Sequence, residues 1–232
     1  MARPAGTFDA ARYFRGDHGL RFHNVGATRV RALARSIHET HRGTWSIDDA
    51  QRLADTLIAD PYLETKSVGI EIVARYRRSF EPRHLAHWKR WLAGNHSANW
   101  ATTDGICGTL IGPLLAAHPS LIAKMPGWAR HRNLWVRRAS IVSLIVPMRD
   151  GLGVAVAYEI ARILHPDDAD LIHKAVGWAL REAGKRDRAR LERHLLRYGP
   201  SIPRTTIRYA IERFTPAKRR ALLVATQRRR QT

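Results

Sequence analysis

Apolar residues recur at spacings of three and four along most of the chain. In residues 49–58, Ala50, Leu53, Ala54, Leu57 and Ile58 fall on one helical face. In 106–115 the set is Ile106, Cys107, Leu110, Ile111, Leu114 and Leu115. Residues 139–146 carry a broader stripe of Ala139, Ile141, Val142, Ile145 and Val146. Residues 171–180 repeat the pattern with Leu171, Ile172, Ala175, Val176, Ala179 and Leu180. Such spacings mark helices that bury one stripe. Alternating stretches that would form strands are nearly absent. The steps Asp60-Pro61, Glu81-Pro82, His118-Pro119, His165-Pro166 and Gly199-Pro200 interrupt the pattern. Proline pushes the preceding residue out of the helical region, so each step ends one helix or begins another. The expectation is an all-α protein of paired antiparallel helices.

The helical pattern also repeats. Five segments align, beginning at Lys66, Asp104, Arg138, Lys174 and Arg204, with intervals of 38, 34, 36 and 30 residues. In each, a charged residue leads a helix that has apolar or small residues two and three positions later. A period near 35 with two helices per unit is that of HEAT-like α-solenoids, whose units stack because none buries its apolar face alone. Stacking predicts a single domain over residues 1–226, a basic tail over 227–232, and a concave surface on which the five lead residues form a stripe. Four are cationic. A cation near a helix N-terminus opposes the helix dipole, which favours a functional stripe over solvated helix starts.

Charge strengthens this picture. The 232 residues hold 40 Lys and Arg against 20 Asp and Glu, a formal net charge of +20. Such an excess points to a polyanionic partner, with nucleic acid ahead of an anionic membrane surface. The 44% hydrophobic content is enough for a core. Arg suits phosphate recognition through its planar fork, although the ratio of 34 Arg to 6 Lys also fits GC-rich codon usage. The single cysteine, Cys107, excludes an internal disulfide or a cysteine zinc finger. No apolar h-region opens the chain and no apolar run approaches membrane-spanning length. A cytoplasmic monomer is expected, with no membrane partner.

Asp104 is the one acid in the stripe. It weakens attraction to a polyanion, so another use is implied. A helix already running from Trp100 would put Trp100 and Asp104, at i and i+4, on one face. Alternatively Thr102, Thr103 or Asp104 caps a helix that begins later. Gly105, Gly108 and Gly112 follow. Each costs roughly 0.5–1 kcal/mol relative to Ala, and the close approach of another backbone would explain them. Trp45, Trp88, Trp91, Trp128 and Trp135 read as packing residues. The pairs His38/His41 and His84/His87 lack a third ligand, so no metal is expected.

The segments ARYFRGDHGLRFHNVG, NWATTDGI, NLWVRRASIV and HKAVGWALRE, in this order along the chain, resemble motifs of the AlkD-type DNA alkylation repair family. These are bacterial DNA glycosylases built from HEAT-like repeats. The resemblance covers roughly residues 10–215. It implies a catalytic cluster of Trp100, Asp104 and Arg138, with Tyr13, Trp178 and Arg181 facing DNA near the lesion. Ala101 departs from the acidic residue common in the family. Lys66, Lys174 and Arg204 enter as phosphate contacts inferred from the stripe. The implied activity is monofunctional release of cationic N3- or N7-alkylated purines from duplex DNA, with no cofactor and without base flipping. It implies a protein of the bacterial cytoplasm, associated with the nucleoid when bound to DNA. A non-catalytic HEAT-repeat protein binding damaged or branched DNA is the alternative. A protein scaffold is disfavoured by the charge.

Overall fold

The computed structural model describes Phe14 and residues 19–227. Among these residues there is no strand; the only extended pairing is an isolated bridge between Arg21 and Tyr62. The chain divides into two compact units, Met1–Leu114 and Leu115–Thr232.

The first unit holds α1 (Ala27–Thr40), α2 (Ile47–Ala59), α3 (Leu63–Ala74), α4 (Arg83–Ala93) and α5 (Trp100–Ile106). A π-helical segment, Cys107–Ile111, continues α5. The short α6 (Gly112–Ala117) follows it. Helix α2 begins where the apolar stripe begins. Ser46 caps it, its hydroxyl accepting from Asp49 N–H at 3.3 Å while Ser46 N–H donates to the Asp49 carboxylate at 2.8 Å. This reciprocal box satisfies two amides that the first turn leaves unpaired. Asp60, before Pro61, is the residue at which α2 stops. Val30 and Ala34 of α1, Ala50 of α2, and Val68 and Ile72 of α3 form a buried cluster. Gly69 of α3 lets the α2 backbone approach. A Cβ there would lie 3.1 Å from Leu57 Cβ and 3.4 Å from Ala54 Cα.

The second unit holds α7 (Met125–Ala129), α8 (Leu134–Val142), α9 (Ile145–Met148), α10 (Val154–Leu164), α11 (Asp170–Gly184), α12 (Arg188–Tyr198), α13 (Arg204–Ala210) and α14 (Pro216–Ala225). Helix α11 packs on α8, α10 and α13. Its contact with α13 is made at a glycine. A Cβ on Gly177 would lie 2.5 Å from Tyr209 Cβ and 2.6 Å from the Thr206 carbonyl oxygen. Another backbone comes close at Gly69 and Gly177, each three residues after a stripe lysine, and at Gly199, where a Cβ would lie 2.9 Å from Thr226 Cα. At Gly105 and Gly108 the expectation of a close backbone fails: a Cβ at Gly105 would touch only Ile70 Cδ1 at 3.6 Å, and one at Gly108 would meet nothing.

The all-α expectation holds, and each X-Pro step lies at a helix boundary or in a short 3₁₀ turn. The lead residues Lys66, Asp104, Arg138, Lys174 and Arg204 lie in the first or second turn of α3, α5, α8, α11 and α13.

Helices α10 and α12 also bury a pair of imidazoles. His165 and His194 are 6% and 8% exposed, with their Nε2 atoms 3.2 Å apart. One ring donates and the other accepts, so the pair is at home uncharged. Burial, then His194 and Arg162, push His165 down to about 3. Burial, then Arg162 and Arg190, push His194 down to about 4. The unfolded chain therefore takes up protons below pH 6.5 that the folded chain refuses. Stability should be level above pH 6.5 and fall toward pH 4, at up to about 1.4 kcal/mol per pH unit for each histidine. Melting curves from pH 7.5 to 4 on the wild type and His194→Gln measure this. An unchanged slope in the variant would exclude the pair as its source.

Candidate functional site

The start of α5 decides which reading of Trp100 and Asp104 applies. Asn99 is the cap, its Oδ1 accepting from Thr102 N–H at 2.8 Å, and its Nδ2 donates to Thr102 Oγ1 at 2.9 Å. The helix therefore runs from Trp100, and Trp100 and Asp104 share a face one turn apart. Thr102 and Thr103 are buried beneath it. The alternative caps at Thr102, Thr103 and Asp104 do not occur. Asn99, one residue ahead of the tryptophan in the same motif, was the overlooked signal.

Lys66 sits under this turn rather than on an exposed stripe. It is 6% exposed. Its ammonium donates to the Ile58 carbonyl at 2.6 Å, in the last turn of α2, and to the His96 carbonyl at 2.8 Å, in the loop that leads to Asn99. Two orphan carbonyls are satisfied by one cation, which also ties the entry of α5 to α2. Burial pulls the Lys66 ammonium below its ordinary range, with Asp60 acting in the opposite direction.

Trp100 is half-buried. Its indole stacks on the Phe14 ring with centroids 5.3 Å apart and planes at 19°. The two rings line a cavity of about 430 Å³ together with Leu63 and Ile70, and with the carboxylates Glu64 and Glu71. Neither Phe14 nor Glu71 was marked by the sequence pattern, because the fold, not spacing, brings them to Trp100. Asp104 is half-exposed on the same helix. Just beyond it the chain widens into the π segment, which absorbs one extra residue. Gly108 stands in that segment with open space where a side chain would be.

The remaining lead residues lie in the second unit. Arg138, on α8, is 5% exposed, and its guanidinium donates to the Leu171 carbonyl in the first turn of α11. Lys174, on α11, is half-exposed and pairs with Asp170 one turn earlier at 2.7 Å. Arg204 donates to the Leu223 carbonyl at 2.9 Å and to Thr226 Oγ1 at 3.1 Å, at the end of α14. The stripe cations thus have a structural reason that the helix-dipole argument did not anticipate: Lys66, Arg138 and Arg204 satisfy main-chain carbonyls on neighbouring elements. Trp178 is half-buried on α11, and Arg181 on the same helix is paired with Glu212 of the segment after α13. Tyr13 and Arg228 to Arg230 lie outside the described residues.

Trp88, Trp91 and Trp128 are buried, as expected of packing residues; Trp45 and Trp135 are half-buried. The two histidine pairs diverge instead of converging on a common point. His38 meets Tyr76 edge-on and His41 stacks on Trp45. His84 Nδ1 accepts from Glu81 N–H at 2.8 Å, while His87 Nε2 lies 2.7 Å from Asp55.

A family model described as DNA alkylation repair enzyme matches residues 1–214. The chain belongs to this family. Membership gives it a role in the repair of alkylation damage, with DNA as its partner. Among solved structures, a predicted DNA alkylation repair enzyme from Enterococcus faecalis superimposes with a TM-score of 0.75. The match covers 86% of this chain and 91% of that one at 16% identity, which establishes the shared fold. No curated protein matches the sequence.

Proposed function

We propose that the chain is a monofunctional DNA glycosylase that releases N3- and N7-alkylated purines from duplex DNA. The observation that carries this reading is the start of α5, where an indole and a carboxylate stand on one face, one turn apart, on a helix capped independently of both. An N3- or N7-alkylated purine carries a positive charge. It departs from C1′ with the bonding electron pair and becomes neutral, so no proton need be supplied to it. The sugar left behind resembles an oxocarbenium ion. The Asp104 carboxylate stabilises that charge and directs a water oxygen to C1′, and the water's proton passes to solvent. Trp100 presents an aromatic face to the sugar, which excludes water and favours a cation. Arg138 is assigned to the phosphate beside the lesion through its fork of donors. No lysine is placed for a Schiff base, so no lyase step follows.

Lys174 and Arg204 are assigned to phosphates along the duplex, and Tyr13, Trp178 and Arg181 to the surface near the lesion. Lys66 enters with one remaining N–H, its other two being held by carbonyls. Incubation with a duplex carrying one 7-methylguanine, scored for free base, tests the reaction. Binding without release would favour a non-catalytic reader of damaged DNA. The phosphate assignment has its own measurement. Lys174 is half-exposed and paired only across one helical turn, so Lys174→Ala should reduce the slope of log K against log salt by about 0.9. It should weaken damaged and undamaged duplex alike. An unchanged slope would remove α11 from the DNA-binding surface.

A further inference from the structure

We infer that the outer face of α12 and α14 is a second duplex-binding surface, through which one copy of the protein holds two DNA segments together. The two helices run side by side in the same direction. Glu192 of α12 pairs with Lys218 of α14. Gly199 and Thr226, the residues that end the two helices, meet, a Cβ on Gly199 lying 2.9 Å from Thr226 Cα. This register sets Arg193 level with Arg219 and Arg220, and Arg197 level with Val224. Helix α12 turns Leu191, His194 and Leu195 inward, with Leu191 against Gly184 of α11. Its outer face carries Arg193, Leu196 and Arg197, and α14 carries Arg219, Arg220 and Val224, all exposed. The outer face of α12 therefore points away from α11, the helix of Lys174 and Trp178.

The charge on this face is uncommitted. The side chains of Arg193, Arg219 and Arg220 make no hydrogen bond or ion pair with any described residue, and Arg197 lies over the Tyr198 ring. The single acid on the two helices, Glu192, is already taken by Lys218. By contrast, Lys66, Arg138 and Arg204 of the stripe satisfy main-chain carbonyls. Unpaired like charges repel one another, and a polyanion relieves that repulsion while releasing its own counter-ions. Packed helices lie about 8–10 Å apart, and Arg193 and Arg197 stand about 6 Å apart along theirs. Arginine forks at such spacings suit a partner whose anions recur at short intervals, and a duplex presents one per about 1.7 Å of axis. An anionic membrane would need more apolar surface to sink into than Leu196 and Val224 provide. A protein partner would call for large apolar anchors at the centre and charge at the rim, whereas cations dominate here. DNA is the partner that family membership gives. Lys174 is assigned to the first segment and the outer face takes the second. This second surface does not depend on base release.

The test uses the full chain and two undamaged duplexes, one fixed to beads and one free and fluorescent. The wild type should capture the free duplex on the beads. Its association constant should fall by about a hundredfold between 50 and 200 mM salt, as four phosphate contacts require. Arg193→Gln/Arg197→Gln/Arg219→Gln/Arg220→Gln should weaken that capture by about tenfold or more, while affinity for a single duplex in solution falls by less than about threefold. The corresponding four-lysine variant keeps the charge and should still capture. Should the fourfold glutamine change unfold the protein, Arg193→Gln/Arg197→Gln and Arg219→Gln/Arg220→Gln give the same comparison in milder form. Undiminished capture by the glutamine variants, as bridging through self-association would give, overturns the second surface. So does an equal loss of single-duplex affinity, which would place the four arginines in the first binding surface. If the wild type captures no second duplex but binds phosphatidylglycerol vesicles through these arginines, the face belongs to a membrane and the proposal fails.

Discussion

Asp104→Asn is expected to lower base release by about a thousandfold or more, while affinity for duplex DNA stays level or rises slightly. Removing one preorganised group that stabilises transition-state charge typically costs 10²–10³ in rate, and here the same group also aims the water. The amide keeps the size of the carboxylate. It also leaves the helix intact, because Asn99 rather than Asp104 caps α5. Deleting a negative charge from a chain of net charge +20 can only favour a polyanion. Single-turnover release from a duplex with one 7-methylguanine, beside binding isotherms on the same duplex, measures both quantities. Release at near wild-type rate would end the assigned role. A collapse of the melting temperature would show instead that Asp104 holds the fold.

The second large effect concerns the leaving group. The enzyme should release 3-alkyladenine and 7-alkylguanine, and should leave uracil, hypoxanthine and 8-oxoguanine in the same duplex at rates lower by about 10³ or more. General acid catalysis is worth about 10²–10⁴, and the proposed cluster lacks a group to provide it. An arginine does not give up its proton under these conditions. The aspartate acts in this mechanism as its carboxylate, which accepts hydrogen bonds and has no proton to give. The positive charge must therefore come with the lesion. Time courses on a set of duplexes differing only at the target base provide the comparison. Hypoxanthine release at a rate close to that of 7-methylguanine would require an acid outside the cluster and would overturn the mechanism.

Much of the architecture was legible in the sequence because helices announce themselves locally. Leu53, Ala54 and Leu57 carry their own periodicity, and Pro61 and Pro119 mark their own boundaries. The repeat intervals identified the helix that bears each charged lead residue. What the pattern could not supply were relations between distant residues. Lys66 looked like a member of an exposed row, yet its ammonium is taken up by the Ile58 and His96 carbonyls. Those partners are found only once α2 and the loop before α5 have folded around it. Glu71 carried no mark at all, since its interest lies in facing Phe14 and Trp100 across a cavity. The glycines after Asp104 suggested tight packing, whereas Gly108 accompanies a local change of helix type. Asn99 was readable from its position alone and was missed only because three other capping residues stood close by.

Gly177 has a bearing on the surface that its own chemistry does not suggest. Helices meeting at bulky side chains lie toward 10 Å apart, and those meeting at a glycine toward 8 Å. The absent methyl group at 177 therefore sets the gauge between what α11 displays, Lys174 and Trp178 among it, and what α13 displays beside it. If these helices carry the proposed phosphate contacts, that gauge fixes how far apart the contacts stand, and a mismatch would have to be met by deforming the duplex at a cost in energy. Any side chain at 177 would spread these two helices while leaving every charged and aromatic group in the sequence unchanged.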